Sequence, residues 1–305
     1  MPNLDQTDRR QFLQKSILGG LVITSTSEVA AETEQGVKEA EVTQDVDVLV
    51  VGGGTAGNIA AIQAGRAGAK TLIVERGAQL GGTTTTGGVA FPGLFDAWGK
   101  QVIAGIGWEL VKECVELDGG KFPNFAKVPK SHWQNQVYVN QFLFALLAEE
   151  KCEQAGVAIA YHEFPQSIQK TEKGWEVICV GFGTRRRVRC KQIIDCTGGA
   201  EVVGMLGLPR LREDETQPGS MLYNLEVANN PGHHQLHRLY VHGADSTNSR
   251  TVTRANLTGR KSVLEKVRKE KKRLMHLQSE TGFRESFRIV GETMITVNDY
   301  TKGRL

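Results

Sequence analysis

Gly52, Gly54 and Gly57 fall in "VVGGGTAG", between a run of β-branched residues and a stretch with helical spacing, and a carboxylate, Glu75, closes the next apolar run. Each glycine has a mechanical reason to be there. Gly52 lets the chain turn sharply off a strand, Gly54 leaves bare backbone for a pyrophosphate, and Gly57 lets helix and strand approach closely. The helix start at Thr55 and Ala56 presents free N–H groups and the positive end of the helix dipole to phosphates. At the end of the second strand, the Glu75 carboxylate can accept hydrogen bonds from an adenosine ribose and would repel a 2′-phosphate. Arg76 beside it keeps a phosphorylated cofactor open. This chemistry grips ADP, so by itself it does not separate NAD from FAD.

Regular elements must position these groups. Residues 46–51 read as a buried parallel strand, residues 55–67 as a helix ended by a left-handed Gly68, and residues 70–75 as a second strand beside the first. The segment "RGAQLGGTTTTGGVAFPG" then carries Gly81, Gly82, Thr83 and Thr84. Its N–H groups and hydroxyls suit phosphates and a polar ribityl chain at the carboxyl edge of a sheet, a loop that a nicotinamide dehydrogenase does not need there. A flexible surface loop is the plain alternative. Residues 140–154 read as a helix with Asn140 as N-cap and Gly156 as stop, followed by a strand in "GVAIAYHEF". Residues 174–196 read as hairpin strands with a basic turn that feed a buried strand, 192–196. That strand finishes in Thr197, Gly198 and Gly199, where backbone can swing against a ligand unobstructed.

Taken in order, these motifs make the chain resemble the FAD-dependent oxidoreductases with an N-terminal two-dinucleotide-binding fold. The resemblance rests on Gly52, Gly54 and Gly57 with Glu75, on Gly81-Gly82-Thr83, on Asp195-Cys196-Thr197-Gly198, and on Arg284-Glu285-Ser286 with Arg288 in "FRESFRIVGE". It implies an α/β, Rossmann-like domain with a central parallel sheet, a small β-meander and a substrate-side insertion. It also implies FAD as cofactor, with the pyrophosphate on residues 52–57, the ribose on Glu75 and the flavin near Gly82 and the Arg284 segment. In that picture Arg284 and Arg288 clamp a substrate carboxylate or stabilise charge on reduced flavin, against the plainer reading of a salt bridge to Glu285 or Glu292. The strand that touches the adenine is expected to pass through Phe164 and Pro165, and Pro165 has no N–H to give. Relatives continue beyond this point, so a chain ending at Leu305 reads as C-terminally truncated. A non-catalytic FAD-binding remnant or a segment of a split gene is therefore a rival to the enzyme, and an NAD-linked dehydrogenase is a further one.

The whole chain bounds these readings. With 305 residues, 37 Lys+Arg against 34 Asp+Glu and a net charge of +3, nothing in the balance calls for a nucleic acid partner. No apolar run reaches membrane-spanning length. "TDRRQFLQKSILGGLVI", with Arg9 and Arg10 ahead of a short, glycine-broken apolar stretch, resembles a twin-arginine export signal with cleavage after Ala31. It departs from that pattern at Asp8 and Gln14. The expectation is a protein carried folded by the twin-arginine machinery to the periplasm or another extracytoplasmic space, with no stable membrane anchor after cleavage. There it would act on a small-molecule substrate and an unidentified electron acceptor. Five cysteines form no C-x-x-C pair, which argues against a dithiol centre and a structural zinc. His233 and His237 have helical metal spacing, but Pro231-Gly232 favours a solvated loop. The basic segment from Arg260, with Val263, Leu264, Val267, Leu274 and Met275 on one stripe, reads as an exposed amphipathic helix. His132 and Tyr138 are bases by residue type only. The expected organisation is a signal over 1–31, a linker over 32–44, the FAD domain over 45–207, a substrate-side cap over 208–278 and a partial return to the FAD domain over 279–305.

Overall fold

In the computed structural model, which describes residues 40–303 apart from 98, 228, 229 and 231, the first apolar run is a longer strand than its composition suggests. Strand β1 spans Ala40–Val51. Its first five residues fall in the expected linker. They are held as strand because every one pairs with the strand that arrives last in the sheet, from Ala40 opposite Thr184 to Val51 opposite Asp195. The expected export signal and the rest of the expected linker lie outside the described residues.

Helix α1 (Thr55–Arg66) follows the glycine turn and ends before a left-handed Gly68. Strand β2 (Thr71–Glu75) returns parallel to β1, with Val48 opposite Thr71 and Val51 opposite Val74. After the glycine–threonine loop come a short ribbon, β3 (Asp96–Ala97) with β4 (Lys100–Gln101), then helix α2 (Ile106–Leu117) and helix α3 (Gln141–Gln154). Asn140 caps α3, its side chain accepting from the Phe142 and Leu143 N–H groups. Strand β5 (Ala158–Tyr161) joins the sheet beside β2.

Strands β6 (Phe164–Thr171), β7 (Gly174–Gly181) and β8 (Thr184–Asp195) form the meander. It is no separate layer: the six-stranded sheet runs β5-β2-β1-β8-β7-β6, with β5, β2, β1 and β8 mutually parallel and the last two antiparallel. The basic residues expected in the hairpin turn are in β8 instead. Arg186 makes a two-pronged pair with buried Glu163, at 2.7 and 2.8 Å, and the turn itself is Phe182-Gly183. A guanidinium fork matched to a carboxylate explains why arginine tolerates this sheet interior.

The period-two alternation of a strand sorts the core into two layers. Val50 and Ile73 pack against the helices, with Ile62, Leu110 and Phe144. Leu49, Val51, Leu72 and Val74 point to the other face, against Val177, Val188 and Val202. A sheet buried on both faces explains the unbroken apolar runs.

Beyond helix α4 (Glu201–Met205) and strand β9 (Arg210–Leu211), a second small sheet has the order β11-β10-β12, made of β10 (Gly219–Glu226), β11 (His234–Val241) and β12 (Leu274–Leu277). Helix α5 (Ser249–Glu270) packs on one face through Ala255 and Val263, against Met221, Tyr223, Leu225 and Val241. The basic helix thus begins earlier than expected, capped by Asn248, and ends at Glu270 before a left-handed Lys271. Leu274 and Met275 belong to β12 and not to the helical stripe. The expected histidine loop is mostly strand: His234 and His237 lie on β11, so helical metal spacing does not apply to them. Among the described residues, no three His, Cys, Asp or Glu side chains are placed to hold a metal ion, and no helix is long and apolar enough to cross a membrane. The chain closes with β13 (Arg288–Ile289), paired to β9, and α6 (Val297–Thr301).

All five cysteines are free, four of them buried. Burial pushes the thiols of Cys114 and Cys190 up to about 11 and those of Cys152 and Cys179 up to about 12. These four thiols should therefore be silent toward a thiolate-selective disulfide reagent at neutral pH and react together on denaturation. Rapid titration of any of the four in native protein would contradict the packing described here.

Candidate cofactor site

Where β1 meets α1, the backbone leaves no room for side chains except at one point. Gly52 has φ +98°, and a Cβ there would lie 2.5 Å from the Cys196 carbonyl oxygen. At Gly57 a Cβ would lie 1.8 Å from the Gly52 carbonyl oxygen, so this glycine is needed for the approach of the helix to the turn itself, more than to the strand. At Gly54 a Cβ would meet nothing within 4 Å. Gly54 is the N-cap of α1 and no side chain caps the helix, so its first N–H groups point into that open space. An uncapped helix start lined by small residues is a donor set for an anion, worth roughly 0.3–1 kcal/mol from the dipole alone, before direct hydrogen bonds are counted.

Glu75 is fixed from both sides. One carboxylate oxygen accepts from the Gly53 N–H and the other from the Gly77 N–H, both at 2.6 Å. These two bonds, which no local spacing signals, hold the carboxylate under the glycine turn while each oxygen keeps a lone pair for a further donor. Arg76 reaches toward Glu201, 3.8 Å away.

The glycine–threonine loop is bound to the same turn. Gly81 donates its N–H to the Gly53 carbonyl at 2.8 Å, and a Cβ on Gly82 would lie 2.9 Å from the Gly54 Cα. Thr55 Oγ1 donates to the Gly81 carbonyl and shares a hydrogen bond with Thr84 Oγ1 at 3.0 Å, while Thr83 is exposed. This loop is therefore clamped and not freely mobile on the surface. On the other flank, Asp195 accepts from both the N–H and the hydroxyl of Thr197, and the Thr197 hydroxyl accepts from the Glu201 N–H. Gly198 (φ +79°) faces open space.

The strand expected at the adenine, β6 from Phe164, follows directly on the backbone that lines Glu75. Tyr161 is the residue opposite Glu75, and the next backbone groups bind there too, with the Glu163 N–H donating to the Glu75 carbonyl and the His162 N–H to that of Gly77. Pro165 lies farther on, buried in β6 opposite Cys179 at a bulge. Because β6 is an edge strand, a missing N–H is tolerated there and removes no bond beside Glu75.

The two arginines also separate. Arg288 is on exposed β13 and pairs with Glu213 at 2.8 Å, a partner the sequence did not suggest. Arg284 donates to the Pro218 carbonyl at 2.8 Å and to Ser220 Oγ at 3.4 Å. What sequence reasoning missed is that Ser286 meets Gly199: a Cβ on Gly199 would lie 2.9 Å from Ser286 Oγ, so the late segment closes over the Thr197–Gly199 turn. Tyr138 is an exposed residue against Phe91, and the side chain of His132 is outside the described set.

Buried polar atoms without partners gather near these elements. Asn58, one residue past Gly57 and fully buried, has neither amide atom paired, and Ser286 Oγ and Glu201 Oε2 are likewise unpaired. Such atoms cost about 1–3 kcal/mol each when left without a partner. Desolvation raises the Glu201 carboxyl above its usual range, with Arg76 opposing the shift. An anion-receptive helix start, a bolted carboxylate and two glycine turns opening on one mouth fit the diphosphate, ribose and polar chain of FAD.

Comparison with known proteins agrees with this fit. The family model for FAD dependent oxidoreductase matches residues 47–264. Among curated relatives, digeranylgeranylglycerophospholipid reductase of Methanococcus vannielii is 26% identical over 156 residues, 51% of this chain and 38% of that protein. Pseudooxynicotine dehydrogenase of a Pseudomonas species is 35% identical over 92 residues, 27% of this chain and 18% of that protein. The chain spans well under half the length of these curated relatives. Among solved structures, CabE, an aromatic hydroxylase from angucycline biosynthesis, superposes with a TM-score of 0.51 at 14% identity, over 82% of this chain and 55% of that one. The last comparison speaks to the fold alone. A glycine turn built to receive a diphosphate, on a mixed sheet that the family model covers from β1 into α5, leads to one conclusion: the chain belongs to the FAD dependent oxidoreductase family, and FAD is its cofactor.

Proposed function

We propose that this chain is the FAD-holding part of an oxidoreductase that moves a hydride between a small organic substrate and the flavin. The observation that carries the proposal is the uncapped start of α1, roofed by the clamped Gly81-Gly82 loop. On this reading the N–H groups of Thr55, Ala56 and Gly57 hold the diphosphate over Gly52 and Gly54, and Glu75 takes the ribose hydroxyls. Arg76 flanks the adenosine and is held off it by Glu201. Gly81, Gly82, Thr83 and Thr84 line the path of the ribityl chain, with Thr197 and Gly198 on its other side. Pro165, two residues past the Glu163 that bonds to Glu75, flanks the adenine without an N–H to give. When bound, FAD supplies the hydride acceptor and donor; the chain supplies orientation and electrostatics. Arg9 and Arg10 support export of the folded, cofactor-loaded protein by the twin-arginine route, which favours an electron acceptor other than cytoplasmic NAD(P)H.

The test is the visible spectrum of protein recovered from the periplasmic fraction. It should be yellow, bleach with dithionite and recover in air. A colourless protein that takes up no added FAD would favour the non-catalytic remnant, and yellow protein confined to the cytoplasm would count against export.

A further inference from the structure

We infer that the exposed β11 edge of the small sheet is a seat for an organic carboxylate, built from Arg238, Tyr240 and Arg284; the inference rests on the flavin reading above and names the substrate class for it. In this sheet the odd-numbered residues of β10 and β11 pack under α5, so the even-numbered ones face the other way. Ser220 is opposite Tyr240 and Leu222 is opposite Arg238 on that face. The Arg238 guanidinium carbon lies 4.9 Å from the centre of the Tyr240 ring, and that of Arg284 lies 5.9 Å from the same centre. Arg284 is held there by Pro218 and Ser220. Among the described residues, no carboxylate pairs with either arginine, although ion pairs occupy Arg66, Arg186, Arg187, Arg212 and Arg288. Tyr240 and Arg238 are exposed.

Two guanidiniums against one aromatic ring, neither paired with a carboxylate, leave an excess of positive charge at the ring that an anion would offset. Planar forks match a carboxylate in two-pronged geometry, and the ring offers a flat apolar surface to the rest of the molecule. The seat is also joined to the cofactor mouth. Ser220 and Gly282 exchange both backbone hydrogen bonds, at 3.0 and 2.8 Å. A Cβ on Gly282 would lie 2.9 Å from Val89 and 3.9 Å from Thr83, the residue next to Gly82. A carboxylate on Arg238 and Arg284 therefore directs the carbon chain of its molecule along the sheet toward the loop that the flavin reading assigns to the ribityl chain. Arg238 replaces Arg288 as the partner of Arg284 in the clamp that the sequence suggested.

Calorimetric titration of the purified full chain with benzoate, benzamide and inorganic phosphate tests this, with flavin content recorded in parallel. Benzoate should bind saturably, benzamide at least tenfold more weakly, and Arg238→Gln should weaken benzoate about tenfold or more while leaving flavin content unchanged. Arg238→Lys should fall between, since it keeps the charge and loses the fork. Arg238 makes no hydrogen bond that its removal would break in the fold. Benzoate binding unaffected by Arg238→Gln, phosphate binding as tightly as benzoate, or no binding of benzoate at millimolar concentration would each overturn the inference. Flavin content reports separately: a chain that takes up no FAD sinks the oxidoreductase reading whatever the calorimetry gives.

Discussion

Gly54→Val is expected to abolish FAD uptake while leaving the FAD-free fold nearly intact. Gly54 has φ −61° and ψ −179°, a conformation open to any residue, and its Cβ would project into space where nothing lies within 4 Å. The folded chain loses only what a poorer N-cap costs, about 1 kcal/mol. The diphosphate, however, must occupy that space to reach the first N–H groups of α1. Losing two or more charge-assisted hydrogen bonds, at roughly 1.5–3 kcal/mol each, weakens binding by at least about a hundredfold. Thermal unfolding of the FAD-free variant and a fluorescence titration with FAD check the two halves of the prediction. Uptake equal to wild type would remove the diphosphate from this turn.

Three residues on, Gly57→Ala is expected to give the opposite result: the fold itself is destabilised. The added methyl would sit 1.8 Å from the Gly52 carbonyl oxygen, which belongs to a backbone held by the Gly52 N–H to Val74 bond at 2.8 Å. Neither side can give by a side-chain rotation, so α1 must move off the sheet and open the layer that holds Ala61 and Ile62. Overpacking a core costs roughly 1–3 kcal/mol, and a clash with fixed backbone belongs at the top of that range or above it. At about 2–4 °C per kcal/mol for a domain of this size, the melting temperature should drop by roughly 6 °C or more, or the protein should fail to accumulate in soluble form. A melting temperature equal to that of wild type would mean that helix and turn are not packed as described. The two glycines thus separate a residue that keeps a space empty for a ligand from one that lets two parts of the chain touch.

The contrast has a bearing on how glycine-rich motifs are interpreted. Gly52, Gly54 and Gly57 look alike in a pattern, yet the first and third are fixed by the protein's own backbone and only the middle one by what it leaves open. Glu75 has a similar double role. It was expected to serve a ribose, and it also holds the turn through the Gly53 and Gly77 N–H groups. Replacing it would disturb fold and cofactor together, which makes Gly54 the cleaner probe of binding.

Much of the first half of the site was legible in sequence because its parts are close along the chain. The strand–turn–helix–strand unit, the left-handed Gly68, the Asn140 cap and the Thr197–Gly199 turn each follow from local backbone preference and apolar periodicity, and apart from the start of β1 the structure has them within a residue or two. The same local reasoning failed wherever a strand's partner was distant. Residues 40–44 look like a polar linker, and they are strand because β8, arriving some 140 residues later, supplies their hydrogen bonds. Arg186 looks like a turn residue, and it is interior because Glu163 is across the sheet from it. Leu274 and Met275 fit a helical stripe, and they form a strand because β10 offers an open edge. The partners of the two late arginines, the seat at Tyr240 and the meeting of Ser286 with Gly199 were decided by tertiary structure alone. Register between β10 and β11 and the path of the returning segment depend on burial summed over many residues, and no spacing within the chain encodes which distant side chains that packing brings together.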